Sequence, residues 1–241
     1  MSRQRLHAPP APRPHSALRT PTPTDHPFLT FRHGRLQARV WDDPAGENQG
    51  DFYLLSASSQ QVIDVCIGDV MGKGPTAARI AVACRKLFAR ACQSCPPLHE
   101  VIDQVQSRAA LALQEREHFV TFCYVRFDLG RGILEFVDGG HTGLVIVSPH
   151  GRVHWLKGHN LPLGVVARER YTVHRACLRP AERYLLFTDG VTEAITEDGT
   201  MVEQEGLSAW LEDGGPPLER IARGLRCCRL RDAITCVEIS V

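Results

Sequence analysis

The amino-acid sequence predicts an α+β fold in which mostly antiparallel sheets are covered by segregated helices. The predicted elements run as strands, two helices, many strands, short helices and a last strand, so strands and helices do not alternate one for one. This order disfavours a doubly wound parallel sheet and favours layered sheets with helices outside them. The length of 241 residues corresponds to one large domain with a terminal tail.

The first segment, residues 1–27, is predicted to be a disordered basic tail. It holds seven prolines, four arginines and one acidic residue, a composition that favours neither a helix nor a sheet ladder. Its prolines also disrupt the amphipathic helix that a transit peptide needs. The globular domain is therefore expected to cover residues 28–241.

The first half of this domain is predicted to contain three strands followed by two helices. Apolar alternation predicts strands over 36–41, 51–57 and 61–70. Pro75 then stands in the first turn of a helix, where its missing N–H costs nothing, and helical spacing of apolar residues continues to residue 92. A second helix is expected after Pro97, over 98–115.

The second half is predicted to return to strands, with short helices before a final strand. Strands are expected over 118–128, 132–138, 143–148, 152–157, 171–178 and 183–189. Helices are expected over 191–195, 203–213 and 217–226. The alternating segment 233–241 is predicted to be a strand again.

The composition argues against several classes of function. Hydrophobic residues are 43% and charged residues 23%, which is ordinary for a globular protein. A formal net charge of +1 lacks the basic excess typical of proteins that bind nucleic acid or an anionic membrane. Neither a membrane span nor the apolar core of a signal peptide is visible. We therefore expect a cytoplasmic protein with no membrane span and no nucleic-acid partner.

The nine cysteines are typical of free thiols in a reducing compartment. Three of them stand inside apolar runs: Cys66, Cys123 and Cys236. One group has partial metal-ligand spacing: Cys84, Cys92, Cys95 and His99. It contains one C-x-x-C pair but lacks the second tight pair of a zinc site, so helix-face and loop cysteines are the favoured interpretation.

Four aspartates stand where apolar runs end: Asp51, Asp69, Asp189 and Asp232. Three of them adjoin glycine, and each by itself is also compatible with an ordinary turn. If the four project toward one point, however, they repel each other unless a cation lies between them. An all-oxygen carboxylate site suits Mg²⁺ or Mn²⁺. The glycine-rich loop 68–74 lacks the spacing of a nucleotide phosphate loop, and its glycines are expected to let the backbone approach a metal.

Six motifs occur in order along the chain: GDFY at 50–53, GDVMGKG at 68–74, GGH at 139–141, LPLG at 161–164, FTDGVTEA at 187–194 and DAIT at 232–235. With these motifs the sequence resembles the PPM-type (protein phosphatase 2C-like) serine phosphatases of the SpoIIE/RsbU family, over roughly residues 45–241. The resemblance implies a four-layer α-β-β-α sandwich of two mostly antiparallel sheets flanked by helices.

The resemblance also implies a site with two metal ions, Mn²⁺ or Mg²⁺. Its implied ligands are Asp51, Asp69, the carbonyl of Val70, Asp189 and Asp232. A hydroxide that bridges the two ions would attack the phosphorus of a phosphoserine directly, so no phospho-enzyme is needed. The resemblance thus implies that the four aspartates are catalytic through the bound metals.

Several other side chains are weaker candidates near these motifs. His141 could orient a metal-bound water or donate a proton, and the alternative is a loop histidine bonded to backbone; His159 carries the same two interpretations. Lys73 could attract phosphate or simply be solvated. Thr188 and Thr235 could support the aspartates through hydrogen bonds.

The function predicted on this basis is a metal-dependent serine/threonine protein phosphatase. By family analogy its substrate is a phosphorylated partner protein, a small anti-sigma-factor antagonist in a bacterial partner-switching pathway. Any regulation is expected from a separate protein or from the tail. Two alternatives remain open: a catalytically silent pseudophosphatase that binds the same partner, and a metallohydrolase that acts on small phosphoesters.

Overall fold

The computed structural model describes residues 28–43, 50–212 and 214–241. The strands within them are β1 (Leu29–His33), β2 (Leu36–Asp43), β3 (Phe52–Ala57), β4 (Val62–Val70), β5 (Val120–Asp128), β6 (Ile133–Gly139), β7 (Leu144–Val147), β8 (Val153–Trp155), β9 (His174–Cys177), β10 (Arg183–Phe187) and β11 (Ile234–Ser240). The helices are α1 (Pro75–Ala91), α2 (Leu98–Gln114), α3 (Glu203–Glu212) and α4 (Pro217–Leu225). The predicted tail, residues 1–27, lies outside the described residues.

The strands form two sheets whose strand pairs are all antiparallel. Sheet A has the order β1-β2-β11-β10-β7-β8, and sheet B has the order β3-β4-β5-β6-β9. The pairing runs antiparallel along every ladder of both sheets. The chain therefore crosses between the sheets several times, and neither sheet is built from one continuous segment.

Three apolar layers hold four structural layers together. α1 and α2 pack on the outer face of sheet B, with Phe88 fully buried at the centre. Val65 of sheet B and Val237 of sheet A belong to the layer between the sheets. α3 and α4 cover the outer face of sheet A, where Leu207 packs in the same layer as Cys236. Each such fully buried large side chain contributes about 1.5–3 kcal/mol. The predicted α-β-β-α sandwich is confirmed.

Both faces of the central strands in sheet B are covered, which explains their nearly continuous apolar sequence. In β4, Ile63, Val65 and Ile67 face the layer between the sheets, whereas Cys66 and Val70 face the helices. Side chains alternate between the two faces of a strand, so odd-numbered positions of β4 point into the gap between the sheets. This alternation also orients the polar residues at the end of the strand.

The two long helices are confirmed, and one predicted short helix is wrong. α1 and α2 end within one residue of the predicted boundaries. The segment 191–195 forms a turn instead of a helix, in which the Glu193 N–H donates to the carbonyl of Asp189 at 2.8 Å. The chain then leaves the turn, because Ile195 exchanges two backbone hydrogen bonds with Arg229 at 3.0 and 2.7 Å.

The edge strands differ most from the sequence prediction. β1 was not predicted, since its five residues alternate between exposed and half-buried and give periodicity little length to show. Among the described strands it pairs only with β2, and Leu29 and Phe31 pack against the layer between the sheets. β8 and β9 are shorter than the predicted 152–157 and 171–178.

Among the residues that the structure describes, none of the helices combines the length and the apolar composition that a membrane crossing requires.

Candidate active site

The four predicted aspartates lie where two antiparallel strand pairs end. Asp51 precedes β3 and Asp69 is near the end of β4, and these strands pair so that the two aspartates are neighbours at one edge. In sheet A, Asp189 follows β10 and Asp232 precedes β11, which are paired in the same way. Each sheet thus contributes two carboxylates. We refer to Asp51, Asp69, Asp189 and Asp232 as the aspartate cluster.

Hydroxyl groups from sheet A reach across the gap and bind Asp51 of sheet B. Thr188 Oγ1 donates to Asp51 Oδ2 at 2.8 Å, and Thr235 Oγ1 donates to the same oxygen at 3.2 Å. The threonines also bind each other, since the Thr235 N–H donates to Thr188 Oγ1 at 3.0 Å. The expected hydrogen-bonding role of both threonines is therefore seen, and its target is the aspartate most distant from them in sequence.

Two glycines let the segments that carry the aspartates touch. A Cβ on Gly50 would lie 2.6 Å from Asp69 Oδ1 and 2.6 Å from the carbonyl oxygen of Val70. A Cβ on Gly190 would lie 1.9 Å from the carbonyl oxygen of Ala233. Neither distance admits a side chain, so each glycine is required by the close approach of two chain segments.

The glycine-rich loop after β4 carries Lys73 to the cluster. Gly72 and Gly74 have φ angles of 92° and 95°, and a Cβ on either would meet open space. Between them, Lys73 Nζ lies 2.8 Å from Asp232 Oδ2 and donates to the carbonyl of Arg231 at 3.2 Å. The lysine that the sequence offered as a phosphate contact is thus paired with a carboxylate.

Burial and like charge raise the pKa values of three members of the cluster. Burial, followed by the charges of Asp69 and Asp189, raises the pKa of Asp51 to about 8. Burial and then the charge of Asp189 raise the pKa of Asp69 to about 6. The pKa of Asp189 is raised by desolvation and then by Glu193 and Asp232. Such shifts indicate carboxylates gathered without enough positive charge.

His141 is buried between the two sheets, and both of its ring nitrogens form hydrogen bonds with protein atoms. Nε2 lies 3.1 Å from the carbonyl oxygen of Phe187, which can only accept, so Nε2 carries the proton. Nδ1 then accepts from Thr121 Oγ1 at 3.2 Å. Burial lowers the pKa of His141 to about 4, so the ring is neutral near pH 7. Its predicted catalytic role remains a prediction. His159 lies exposed on its loop.

Sequence reasoning missed Asp138, which folds the loop that carries His141. Asp138 Oδ1 accepts from the N–H groups of His141 and Thr142 at 2.8 and 3.2 Å, and Oδ2 accepts from Gly158 N–H at 3.0 Å. The signal was an aspartate at a strand end before two glycines, in DGGH. It also missed Thr121, which pairs with Asp69 across the β4–β5 ladder.

The donor chemistry of the cluster fits a hard divalent cation. Its donors are carboxylate oxygens, with the carbonyl of Val70 packed beside Gly50 and Asp69, and burial and then neighbouring carboxylates raise the pKa values of Asp51 and Asp69. Within the described part of the chain, however, no three or more histidine, cysteine, aspartate or glutamate side chains already stand as a metal cage. Cys84 and Cys92 of the cysteine–histidine group lie buried in the apolar layer between the helices and sheet B.

Known structures share this fold. The PP2C phosphatase domain of the cell fate determinant SpoIIE from Bacillus subtilis superposes with a TM-score of 0.73 and 16% identity, over 89% of this chain and 70% of that one. A structure of RsbX in complex with magnesium gives a TM-score of 0.68 and 15% identity, over 88% of this chain and 98% of that one.

Sequence comparison gives the family. The phosphoserine phosphatase RsbU of Bacillus subtilis is 26% identical over 174 residues, which is 70% of this chain and 50% of RsbU, so the chain spans about half the length of that relative. The family described as Stage II sporulation protein E (SpoIIE) matches residues 59–234. The chain therefore belongs to the SpoIIE family of PPM-type serine/threonine phosphatases, and the resemblance carried by its motifs is confirmed.

Proposed function

We propose that residues 28–241 act as a metal-dependent protein phosphatase that hydrolyses phosphoserine or phosphothreonine on a partner protein. The observation that carries this proposal is the aspartate cluster, to which each sheet contributes two carboxylates at its end. On its own, the cluster would repel a phosphate group, and burial together with repulsion among the carboxylates raises the pKa values of Asp51 and Asp69. Divalent cations convert such a cluster into a phosphate site.

The proposed cofactors are two divalent ions, Mn²⁺ or Mg²⁺. Their proposed ligands are Asp51, Asp69, the carbonyl of Val70, Asp189 and Asp232. The magnesium in the RsbX structure supports the same class of ion here. When bound, the two ions supply a water of lowered pKa as nucleophile and positive charge for the phosphoryl oxygens.

The residues of the chain itself position this site. The hydroxyls of Thr188 and Thr235 hold Asp51 in one orientation. Gly50 lets the carboxylate of Asp69 lie against the segment that carries Asp51. We assign His141 to positioning rather than proton transfer, because both of its nitrogens are engaged by protein atoms. Its ring links sheet A to the strand next to Asp69, so it fixes the spacing of the sheets at the site.

The proposed substrate is a phosphorylated protein, in particular a small anti-sigma-factor antagonist of a bacterial partner-switching pathway. The similarity to a relative named phosphoserine phosphatase supports this substrate class. A separate regulatory protein, or residues 1–27, would control the activity. The nine cysteines are all free thiols, in agreement with the proposed cytoplasmic location.

The proposed function is tested by hydrolysis of p-nitrophenyl phosphate and of a phosphoserine peptide with Mn²⁺, with Mg²⁺ and with EDTA. We expect turnover that requires metal and falls by about a thousandfold or more in Asp69→Asn, since lost charge stabilisation of several kcal/mol has that effect on rate. Asp103→Asn, an exposed aspartate on α2, is the matched control and should keep full activity.

The same assays, extended to free phosphoserine and to a phosphorylated partner protein, separate the alternatives. A folded protein that binds Mn²⁺ but hydrolyses neither compound, even with a phosphorylated partner added, would indicate the pseudophosphatase. Free phosphoserine turned over as fast as the peptide would indicate a small-molecule phosphoesterase. Turnover that survives both EDTA and Asp69→Asn would contradict the proposed site.

A further inference from the structure

The aspartate cluster has one direct contact with a cationic side chain among the ion pairs of the described residues. Lys73 Nζ lies 2.8 Å from Asp232 Oδ2, although 158 residues separate it from the neighbouring carbonyl of Arg231 that it also contacts. The pair therefore joins the loop after β4 in sheet B to the start of β11 in sheet A. The hydrogen bond to Asp232, and then the charges of Asp232, Asp69 and Asp189, raise the pKa of Lys73.

The setting of Lys73 allows the amine to leave the carboxylate. Its side chain is 68% exposed, and that of Asp232 is 39% exposed. The flanking residues Gly72 and Gly74 have no atoms around the position of a Cβ, so no packing locks the loop at either of them. An exposed ion pair of this kind is weak and is readily exchanged for a stronger partner.

We propose that Lys73 is an internal counter-cation that occupies Asp232 in the metal-free protein and competes with a divalent ion for that carboxylate. The proposal rests on the metal site put forward above. The amine already engages Oδ2 of Asp232, so an ion that binds there must displace the amine or share the oxygen with it at the cost of charge repulsion. Lys73 thus lowers metal affinity and limits carboxylate repulsion while no ion is bound.

Metal affinity gives the first test, by isothermal titration of the full chain with Mn²⁺. Lys73→Met keeps the length of the side chain and removes its charge. We expect the Kd of this variant for Mn²⁺ to fall about two- to fivefold, a change that corresponds to the free energy of an exposed ion pair. Lys73→Arg restores the charge and should keep the wild-type Kd. Lys86→Met, an exposed lysine on α1, is the matched control and should change nothing. The difference should shrink in high salt.

Amine reactivity gives a second test that does not depend on turnover. The chain contains three lysines: Lys73, Lys86 and Lys157. After brief acetylation, mass spectrometry reports the modified fraction of each lysine. We expect Mn²⁺ to raise the reactivity of Lys73 relative to that of Lys86 about two- to fivefold, because displacement frees the amine from its carboxylate.

The outcomes distinguish this proposal from the proposed function. A wild-type protein that binds no Mn²⁺ would overturn the metal site and the Lys73 competition together. Clear Mn²⁺ binding with an equal or higher Kd in Lys73→Met, or with unchanged Lys73 labelling, would overturn the competition and leave the phosphatase site intact.

Discussion

Asp64 lies on β4 and Asp51 directly precedes the neighbouring strand β3, yet their charges are balanced in opposite ways. Asp64 is fully buried, and its two oxygens accept from Arg126 Nε and Nη2 at 2.7 and 3.1 Å. Asp51 is also partly buried, yet its hydrogen bonds come from two neutral threonine hydroxyls, and the charges nearest to it are other carboxylates. One aspartate is neutralised within the fold, and the other is not.

The difference separates structural acids from the aspartate cluster. Other buried acids have partners within the fold, as Asp64 does: Glu238 pairs with Arg183 at 2.5 Å, and Asp138 accepts from three backbone N–H groups. A buried carboxylate without such partners destabilises the native state, so a cluster of them persists where a ligand supplies the missing charge. The contrast therefore distinguishes the aspartate cluster from the paired acids without reference to any relative.

The largest expected effect is that of Asp51→Asn, which should change activity and stability in opposite directions. Metal-dependent turnover should fall by about a thousandfold or more, because a proposed ligand is lost. In EDTA at pH 8, however, the variant should melt at a higher temperature than wild type, since a carboxylate that repels its neighbours has been removed. Thermal melts with and without Mn²⁺ check both statements. A less stable variant in EDTA would contradict the contrast with Asp64.

The next effect is that of Arg126→Met, which leaves Asp64 buried without its partner. We expect the free energy of unfolding to fall by about 3–5 kcal/mol, with the Kd for Mn²⁺ unchanged in the folded protein. Urea denaturation and Mn²⁺ titration measure the two quantities. The double variant Asp64→Asn/Arg126→Met should recover part of the loss, because it removes the uncompensated charge. A large change in the Kd for Mn²⁺ would show that Asp64 and Asp51 are not independent.

A smaller effect is expected from pH in the metal-free protein. The pKa of Asp51 is about 8 and that of Asp69 about 6 in the folded state, both above the ordinary value of 3.8. The folded protein therefore binds these protons more tightly than the unfolded chain, so their stabilisation is present below about pH 4 and is lost as pH rises through 6 and 8. The melting temperature in EDTA should fall by about 5 °C as the pH rises from about 4 to 8.

The control for this pH effect is Asp51→Asn. The difference in melting temperature between the variant and wild type should grow from pH 5 to pH 9, because the wild type alone loses the proton of Asp51. Saturating Mn²⁺ should abolish the growth. A difference that stays constant with pH would contradict the raised pKa of Asp51.

The smallest effect is that of Thr188→Val, which keeps the shape of the side chain and removes its hydroxyl. Asp51 then loses the 2.8 Å hydrogen bond, and the buried N–H of Thr235 loses its acceptor. We expect a loss of about 1 kcal/mol in stability and roughly tenfold weaker Mn²⁺ binding. Thr188→Ser keeps the hydroxyl and should behave nearly as wild type. Denaturation and Mn²⁺ titration of the three proteins check this prediction.

The layers of the fold could be predicted because both faces of the central strands are apolar and α1 and α2 have clear periodicity and prolines at their starts. β1 and the turn at 191–195 could not be predicted from the sequence. β1 depends on a single partner strand, and the turn depends on Ile195 pairing with Arg229, which is far along the chain. The structure of such short segments depends on contacts with distant residues, and local periodicity contains no information about those contacts.

The same division holds for the candidate site. The positions of the four aspartates at strand ends followed from apolar runs and adjacent glycines. The hydrogen bonds of Thr188 and Thr235 to Asp51, and the capture of Asp232 by Lys73, join segments on different sheets. Their partners are fixed by how the sheets stack, so the residue types could be suspected from sequence and the pairings could not.

The strand order of sheet A has a consequence for protein synthesis. Among the described strands β11 comes last in sequence, yet it lies between β2 and β10, and Asp232 lies just before it in the chain. A nascent chain that has not yet released β11 from the ribosome has an open sheet A and three of the four aspartates. We therefore expect a chain cut before Asp232, which lacks one proposed ligand and the strand between β2 and β10, to be inactive rather than partly active.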